Sequence, residues 1–99
     1  MIRRYGDPST PVRRVALLGG AGEDFVPQAI AAGAQVYVTG EMAYHKGTDA
    51  AANGLCVLEA GHAATEHPGI LALSAALQKA ADDVQYKIRV LDSKVGLYL

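Results

Sequence analysis

The chain has 99 residues, of which 51% are hydrophobic and 19% are charged, and its formal net charge is -1. This composition excludes an intrinsically disordered chain, and the weak net charge makes nucleic acid an unexpected partner. The length predicts a single domain over residues 1–99.

The first predicted elements are a strand, a glycine-rich turn and a helix. An apolar run within residues 12–18 is typical of a strand covered on both faces. It is followed by Gly-Gly-Ala-Gly at residues 19–22, and apolar residues at three- and four-residue spacing then predict a helix over residues 25–32. Residues 1–11 are expected to be a flexible start.

The same alternation of strand and helix continues along the chain. Runs of β-branched, aromatic or apolar residues predict the strands, and apolar stripes predict the helices. The predicted elements are strands at residues 35–39, 55–60 and 86–91, a helix over residues 42–53, a helix from near His62 or Thr65 to about residue 80, and an edge strand or tail at residues 94–99.

This order of elements predicts the fold class. Strands that alternate with helices are joined by right-handed crossovers. We therefore expect an α/β domain, with a mainly parallel sheet of four or five strands and helices on both faces. In such sheets, functional sites lie outside the carboxyl ends of the strands, so residues 19–22, 39–41 and 60–62 are expected along one edge.

The last of these strand ends carries the pattern closest to a metal site. His62 and Glu66 are four residues apart at a helix start, so they lie on one face of the helix. Imidazole and carboxylate are ordinary ligands of divalent metals. Equally, His62 could cap or pack at the turn, and Glu66 could be a first-turn carboxylate favoured by the helix dipole. His67 is turned partly away and is expected not to be a ligand.

Glu41 and His45 repeat the four-residue spacing of a carboxylate and an imidazole at the preceding strand end. Either side chain could transfer protons beside a metal, because that role requires reach and a suitable pKa. Helix capping and contacts along the edge are the alternative. The glycine run at residues 19–22 lacks the spacing of dinucleotide- and triphosphate-binding loops, which favours a tight turn that lets the backbone approach the neighbouring strand.

Cysteine usage and hydropathy suggest a location. The one cysteine, Cys56, lies in an apolar run, which predicts a small buried hydrophobic residue and excludes an intrachain disulfide. The apolar stretches are too short to span a membrane, and the start of the sequence lacks the apolar core of a secretory signal. We therefore expect a cytoplasmic protein with no membrane partner.

Three blocks of sequence together resemble the carboxyl-terminal half of the NIF3-like family, dinuclear-metal proteins also called GTP cyclohydrolase type 2 homologues. The resemblance runs from about residue 12 to residue 91. In that family, the histidine and glutamate of Gly-His-x-x-Thr-Glu bind a two-metal centre, which implies metal roles for His62 and Glu66. Glu41 and His45 match positions that line the same cavity. The matching blocks are VALLGGAG (15–22), VYVTGE with YH (36–41 and 44–45) and EAGHAATE (59–66).

The resemblance also implies a function and partners. Family members are longer, and their remaining metal ligands come from an amino-terminal half. We therefore expect the metal-binding half of a metal-dependent hydrolase of a small or nucleotide-like substrate, inactive by itself. The complete site would hold two divalent ions, with zinc, iron and manganese all compatible. The missing half or a second chain would complete it, with homo-oligomer formation expected. The alternative is a non-enzymatic module that binds a protein partner through the same edge.

Overall fold

The computed structural model describes residues 1–93, which form one four-stranded sheet and three α-helices. A short 3-10 turn at Glu23–Phe25 precedes the first helix. The elements in chain order are β1 (Arg3–Tyr5), β2 (Val15–Ala21), α1 (Val26–Ala31), β3 (Val36–Glu41), α2 (Tyr44–Ala52), β4 (Cys56–Glu59) and α3 (His62–Asp83).

The strands lie in the order β1-β4-β3-β2. Strands β2, β3 and β4 pair in parallel, whereas β1 pairs antiparallel with β4. The sheet is therefore mixed, and the expectation of a mainly parallel sheet is wrong. The reason is that residues 3–5 form an edge strand instead of belonging to a flexible start. Tyr5 anchors this strand, because its ring is buried in the core.

The hydrophobic core lies on one face of the sheet. Tyr5, Val57 and Tyr37 are neighbours across three strands and share this face, on which residues of α1 and α2 pack. The buried core cluster consists of Tyr5, Ala29, Tyr37, Met42, Ala50, Leu55 and Val57.

The opposite face of the sheet is largely open. Val15 and Leu17 point to this face and are 54% and 73% exposed. Helix α3 contacts β2 and β3 through its first turns, close to Gly19 and Gly40 at the strand ends. The expectation of helices on both faces is therefore wrong, because α3 packs against the carboxyl-terminal edge instead of covering the second face.

The other predicted strands and helices between residues 12 and 83 form with shifted boundaries. The largest shift is in the first of them, because β2 continues through the glycine run to Ala21. The β-branched and aromatic residues of β3 suit a strand paired on both sides. Helices α1 and α2 connect successive parallel strands, which need such a crossover.

The strand predicted at residues 86–91 does not form. This segment instead runs back along α3, where the Gln78 side chain makes hydrogen bonds that the backbone of a neighbouring strand would otherwise make. Its Nε2 donates to Ile88 O at 3.1 Å, and its Oε1 accepts from Val90 N at 2.8 Å. The run of β-branched, aromatic and apolar residues at 86–91 therefore did not mark a strand of the described sheet. The edge strand or tail predicted at residues 94–99 lies outside the described residues.

Helix α3 is the longest element and is poorly covered. Among its residues only Ala81 is buried, while several of its large apolar side chains are about half exposed. No helix within residues 1–93 combines the length and apolar character needed to cross a membrane. The exposed large apolar side chains of α3 are Ile70, Leu71, Leu73 and Leu77.

The packing of α2 on β1 depends on Gly47. A Cβ atom at Gly47 would lie 2.6 Å from two ring carbons of Tyr5. Alanine gains about 1 kcal/mol in helix propensity, but steric overlap in a packed core costs about 1–3 kcal/mol. We expect Gly47→Ala to lower the free energy of unfolding by about 1 kcal/mol, measured by urea denaturation.

Gly69 provides the matched control, because it is also helical and a Cβ atom there would meet nothing within 4 Å. Gly69→Ala should raise the free energy of unfolding by about 0.5–1 kcal/mol. If both variants were stabilised equally, the packing of the Tyr5 ring against α2 would be wrong.

Candidate functional site

Three polar side chains meet at the carboxyl-terminal edge of the sheet. Glu41 ends β3, His62 begins α3, and Glu66 follows one turn later. The Nδ1 atom of His62 is 2.9 Å from Oε1 of Glu41, and its Nε2 atom is 3.3 Å from Oε1 of Glu66. These side chains are 59%, 45% and 52% exposed for Glu41, His62 and Glu66, so the Glu41–His62–Glu66 cluster is open to solvent.

The electrostatics of the cluster favour a cation. A neutral imidazole donates from one ring nitrogen and accepts at the other. When Nδ1–H donates to Glu41, Nε2 directs a lone pair toward the Glu66 carboxylate. Two acceptors 3.3 Å apart repel each other unless a proton or a metal ion lies between them. Because imidazole nitrogen and carboxylate oxygen both bind divalent metals, this pair of atoms fits a metal ion.

Gly20 in β2 is held against the cluster by two threonine hydroxyls. Its N–H donates to Oγ1 of Thr65 at 2.9 Å, and its carbonyl accepts from Oγ1 of Thr39 at 3.2 Å. Thr39 is fully buried, so this bond satisfies a hydroxyl group that water cannot reach. The two bonds fix the end of β2 between β3 and α3, and we call them the Gly20 clamp.

Only glycine fits at position 20 without disturbing the cluster. Its φ of +78° is in the left-handed region, which a residue with a side chain rarely adopts. A Cβ atom there would overlap Oε1 of Glu66 and would lie 3.2 Å from Nε2 of His62. The missing side chain therefore keeps open the space beside Oε1 of Glu66 and Nε2 of His62.

The glycine run does not form the tight turn predicted at residues 19–22. Strand β2 continues to Ala21, with a shift in its register against β3 after Leu18. The expected close approach to the neighbouring strand does occur, because the Tyr37 hydroxyl of β3 donates to Gly22 O at 2.7 Å. Burial raises the pKa of this tyrosine hydroxyl above its usual value, and the nearby Thr39 hydroxyl offsets part of the increase.

The structure brings together three of the four candidate residues. Within residues 1–93, no hydrogen bond or ion pair joins the imidazole of His45 to the cluster, and this side chain is exposed on α2. His67 lies elsewhere on α3, with its Nε2 atom 3.8 Å from Oδ2 of Asp92.

Sequence reasoning did not identify the Gly20 clamp. Thr65 lies in the first turn of α3 and not at its cap, because the helix begins at His62 and its N-cap residue is Gly61. The signal for Thr39 was present in the sequence: a polar residue follows Tyr37 at a spacing of two, which puts a hydroxyl on the core face of a strand. Its partner Gly20 lies 19 residues away, and no local pattern in the sequence pairs the two residues.

Comparison with protein families gives a match over nearly the whole chain. The model of the family described as Duf34/NIF3 (NGG1p interacting factor 3) matches residues 1–96. A GTP cyclohydrolase 1 type 2 homolog of Streptococcus pneumoniae is 36% identical over 90 residues, which cover 91% of this chain and 34% of that protein. A protein of the same name in Streptomyces coelicolor is 37% identical over 94% of this chain and 33% of its own length. This chain thus spans about a third of these relatives.

Solved structures share the fold. A Bacillus cereus protein related to NIF3 superimposes with a TM-score of 0.80 at 30% identity, over all of this chain and 28% of that protein. A Staphylococcus aureus protein gives the same TM-score at 24% identity, over all of this chain and 33% of its own. At that identity, the second similarity supports the fold alone.

The Gly20 clamp predicts a specific role for the Thr65 hydroxyl. It accepts from Gly20 N–H and donates to Gly61 O at 2.8 Å or to His62 O at 3.0 Å. Valine has the same shape without the hydroxyl, so Thr65→Val leaves a buried N–H group without an acceptor. We expect the free energy of unfolding to fall by about 1–3 kcal/mol, measured by chemical denaturation.

Thr48→Val is the matched control, because the Thr48 hydroxyl donates to His45 O at an exposed position of α2. It should cost much less than Thr65→Val, and Thr65→Ser should restore most of the lost stability. Equal effects of the two valine substitutions would argue against the Gly20 clamp.

Proposed function

This chain belongs to the Duf34/NIF3 family, and on that premise we propose that it supplies two ligands, His62 and Glu66, to a dinuclear metal centre. The observation that carries this proposal is the convergence of His62 Nε2 and Glu66 Oε1, two acceptors 3.3 Å apart beside a glycine without a side chain. Such a pair is stabilised by a cation.

The two ligands form only part of a metal site. A metal ion held by a protein usually has three or four protein ligands. The curated relatives are about three times as long as the matched region. We therefore propose that the remaining ligands come from a part of the protein outside this chain or from a second chain. Zinc, iron and manganese all suit a site of imidazole and carboxylate groups.

In its complete form, we propose, the protein is a metal-dependent hydrolase of a small or nucleotide-like substrate. The support for a nucleotide is the name of the curated relatives, GTP cyclohydrolase 1 type 2 homolog. Divalent ions in such a centre would supply an activated water and stabilise developing negative charge. The contribution of this chain is to hold one edge of the centre, and we expect no hydrolysis by the chain alone. Proton transfer by Glu41 or His45 remains a prediction.

The exposed apolar side chains of α3 favour a partner surface. Ile70, Leu73 and Leu77 are about half exposed on one helix, and contiguous apolar surface is a common mark of an interface. We propose that this helix contacts the remaining part of the protein or a second copy of the chain. The same surface supports the second candidate function, a non-enzymatic module that binds a protein partner and needs no metal.

Metal content distinguishes these two functions. In the longest protein that contains this chain, elemental analysis after gel filtration should find about two metal ions per chain. His62→Ala and Glu66→Ala should each reduce this to about one or fewer, because each removes a ligand from an already shared site. A protein without metal would favour the interaction module.

His67→Ala is the control for the loss of a histidine from α3, because its imidazole contacts Asp92 rather than the cluster. This variant should keep the metal content of the unmodified protein. Full metal retention after the combined His62→Ala and Glu66→Ala substitutions would show that the ligands lie elsewhere.

A further inference from the structure

We propose that Glu41 is a positioning residue that fixes the tautomer and ring orientation of His62, and thereby presents Nε2 to the metal. This inference rests on the proposed metal site and adds a residue that acts through a ligand. It differs from proton transfer, because the carboxylate acts on the ring proton of His62 and not on a substrate.

The contact between Glu41 and His62 is set by rigid elements. Glu41 is the last residue of β3 and pairs with Ala21 of β2, so the sheet determines its position. His62 is the first residue of α3, and the helix start is bound to the sheet because Gly61 N donates to Gly40 O at 3.0 Å. The 2.9 Å contact between the two side chains thus joins two elements whose backbones are already held together.

Gly40 allows α3 to approach β3 closely enough for this contact. A Cβ atom at Gly40 would lie 2.7 Å from His62 Cα and 2.6 Å from Gly20 O. A side chain at this position would therefore push the start of α3 away from the strand. The missing side chain brings the imidazole within hydrogen-bond distance of the residue that follows Gly40 in the strand.

The two carboxylates of the cluster compete for one ring proton. A neutral imidazole carries its proton on Nδ1, where it can bond to Glu41, or on Nε2, where it faces Glu66. In the second tautomer, Nε2–H would donate to Oε1 of Glu66. Both proposed ligand atoms would then be used in one hydrogen bond, and neither would be free to bind a metal. The distances favour the first, because Glu41 is 2.9 Å from its nitrogen and Glu66 is 3.3 Å from the other.

A carboxylate bound to Nδ1–H has a known physical effect on a metal-binding histidine. It fixes the tautomer, restricts rotation of the ring and makes the opposite nitrogen a stronger base. Loss of such an outer partner typically weakens metal affinity about 10- to 100-fold. Because Glu41 is more than half exposed, its substitution should have little effect on the folded core.

The first test reads the tautomer directly. Nitrogen-15 NMR of the 99-residue chain at about pH 8.5, where imidazoles are ordinarily neutral, distinguishes Nδ1–H from Nε2–H. The unmodified chain should carry the His62 proton on Nδ1. Glu41→Ala should shift it toward Nε2, and Glu41→Gln should keep it on Nδ1, because the amide oxygen still accepts. An unchanged tautomer in Glu41→Ala would overturn the proposal.

The second test measures zinc affinity in the longest protein that contains this chain, because the remaining ligands are proposed to lie outside the chain, with the His62 ring signals as the readout. In that protein, Glu41→Ala should bind Zn²⁺ about 10- to 100-fold more weakly than the unmodified form, and Glu41→Gln should lose less affinity. Asp49→Asn is the charge control, because it removes an exposed carboxylate from α2 and should leave affinity and tautomer unchanged.

The outcomes separate the two proposals. If zinc does not alter the His62 signals of the unmodified longer protein, the metal site fails and this inference fails with it. If zinc binds at His62 but Glu41→Ala changes neither the affinity nor the tautomer, the metal site stands and the role of Glu41 is wrong. Weaker binding together with a shifted tautomer supports both.

Discussion

The arrangement of the site depends on how Gly20 is held. Its N–H and carbonyl groups bond to the hydroxyls of Thr65 and Thr39, which belong to α3 and β3. These bonds join three elements at one edge of the sheet, where a strand end would otherwise leave backbone groups unpaired. Since Gly20 also lies against Glu66 and His62, the same contacts that satisfy the backbone determine how much space the cluster has.

The distribution of the core explains why this chain has both a defined site and much exposed apolar surface. The core is built on one face of the sheet, with β1 closing its edge through Tyr5. Val15 and Leu17 on the other face and much of α3 stay exposed. The relatives compared above are about three times as long, and a partner that covered these surfaces would add stability, because burial of apolar area is the main source of stability on association.

The chemistry of the cluster depends on the ring proton of His62, because a neutral imidazole has only one N–H group to donate. One imidazole lies between two carboxylates, and it can satisfy only one of them while it is neutral. The other pair, His62 Nε2 and Glu66 Oε1, consists of atoms of the kinds that bind divalent ions, and Gly20 leaves space beside them. In the proposed assignment, Nδ1 of His62 donates its proton to Glu41, and Nε2 binds a metal together with Glu66. Each ring nitrogen then has one partner.

The sequence by itself determined the features that depend on local spacing. Runs of apolar, β-branched and aromatic residues predicted β2 to β4, and apolar stripes predicted the helices. A four-residue separation placed His62 beside Glu66, because helix geometry alone sets that distance. Only the tertiary structure decided that residues 3–5 form an edge strand, that residues 86–91 do not form a strand, and that Glu41 reaches His62. These outcomes depend on strand pairing and on packing between residues far apart in the chain, which no local pattern of side chains encodes.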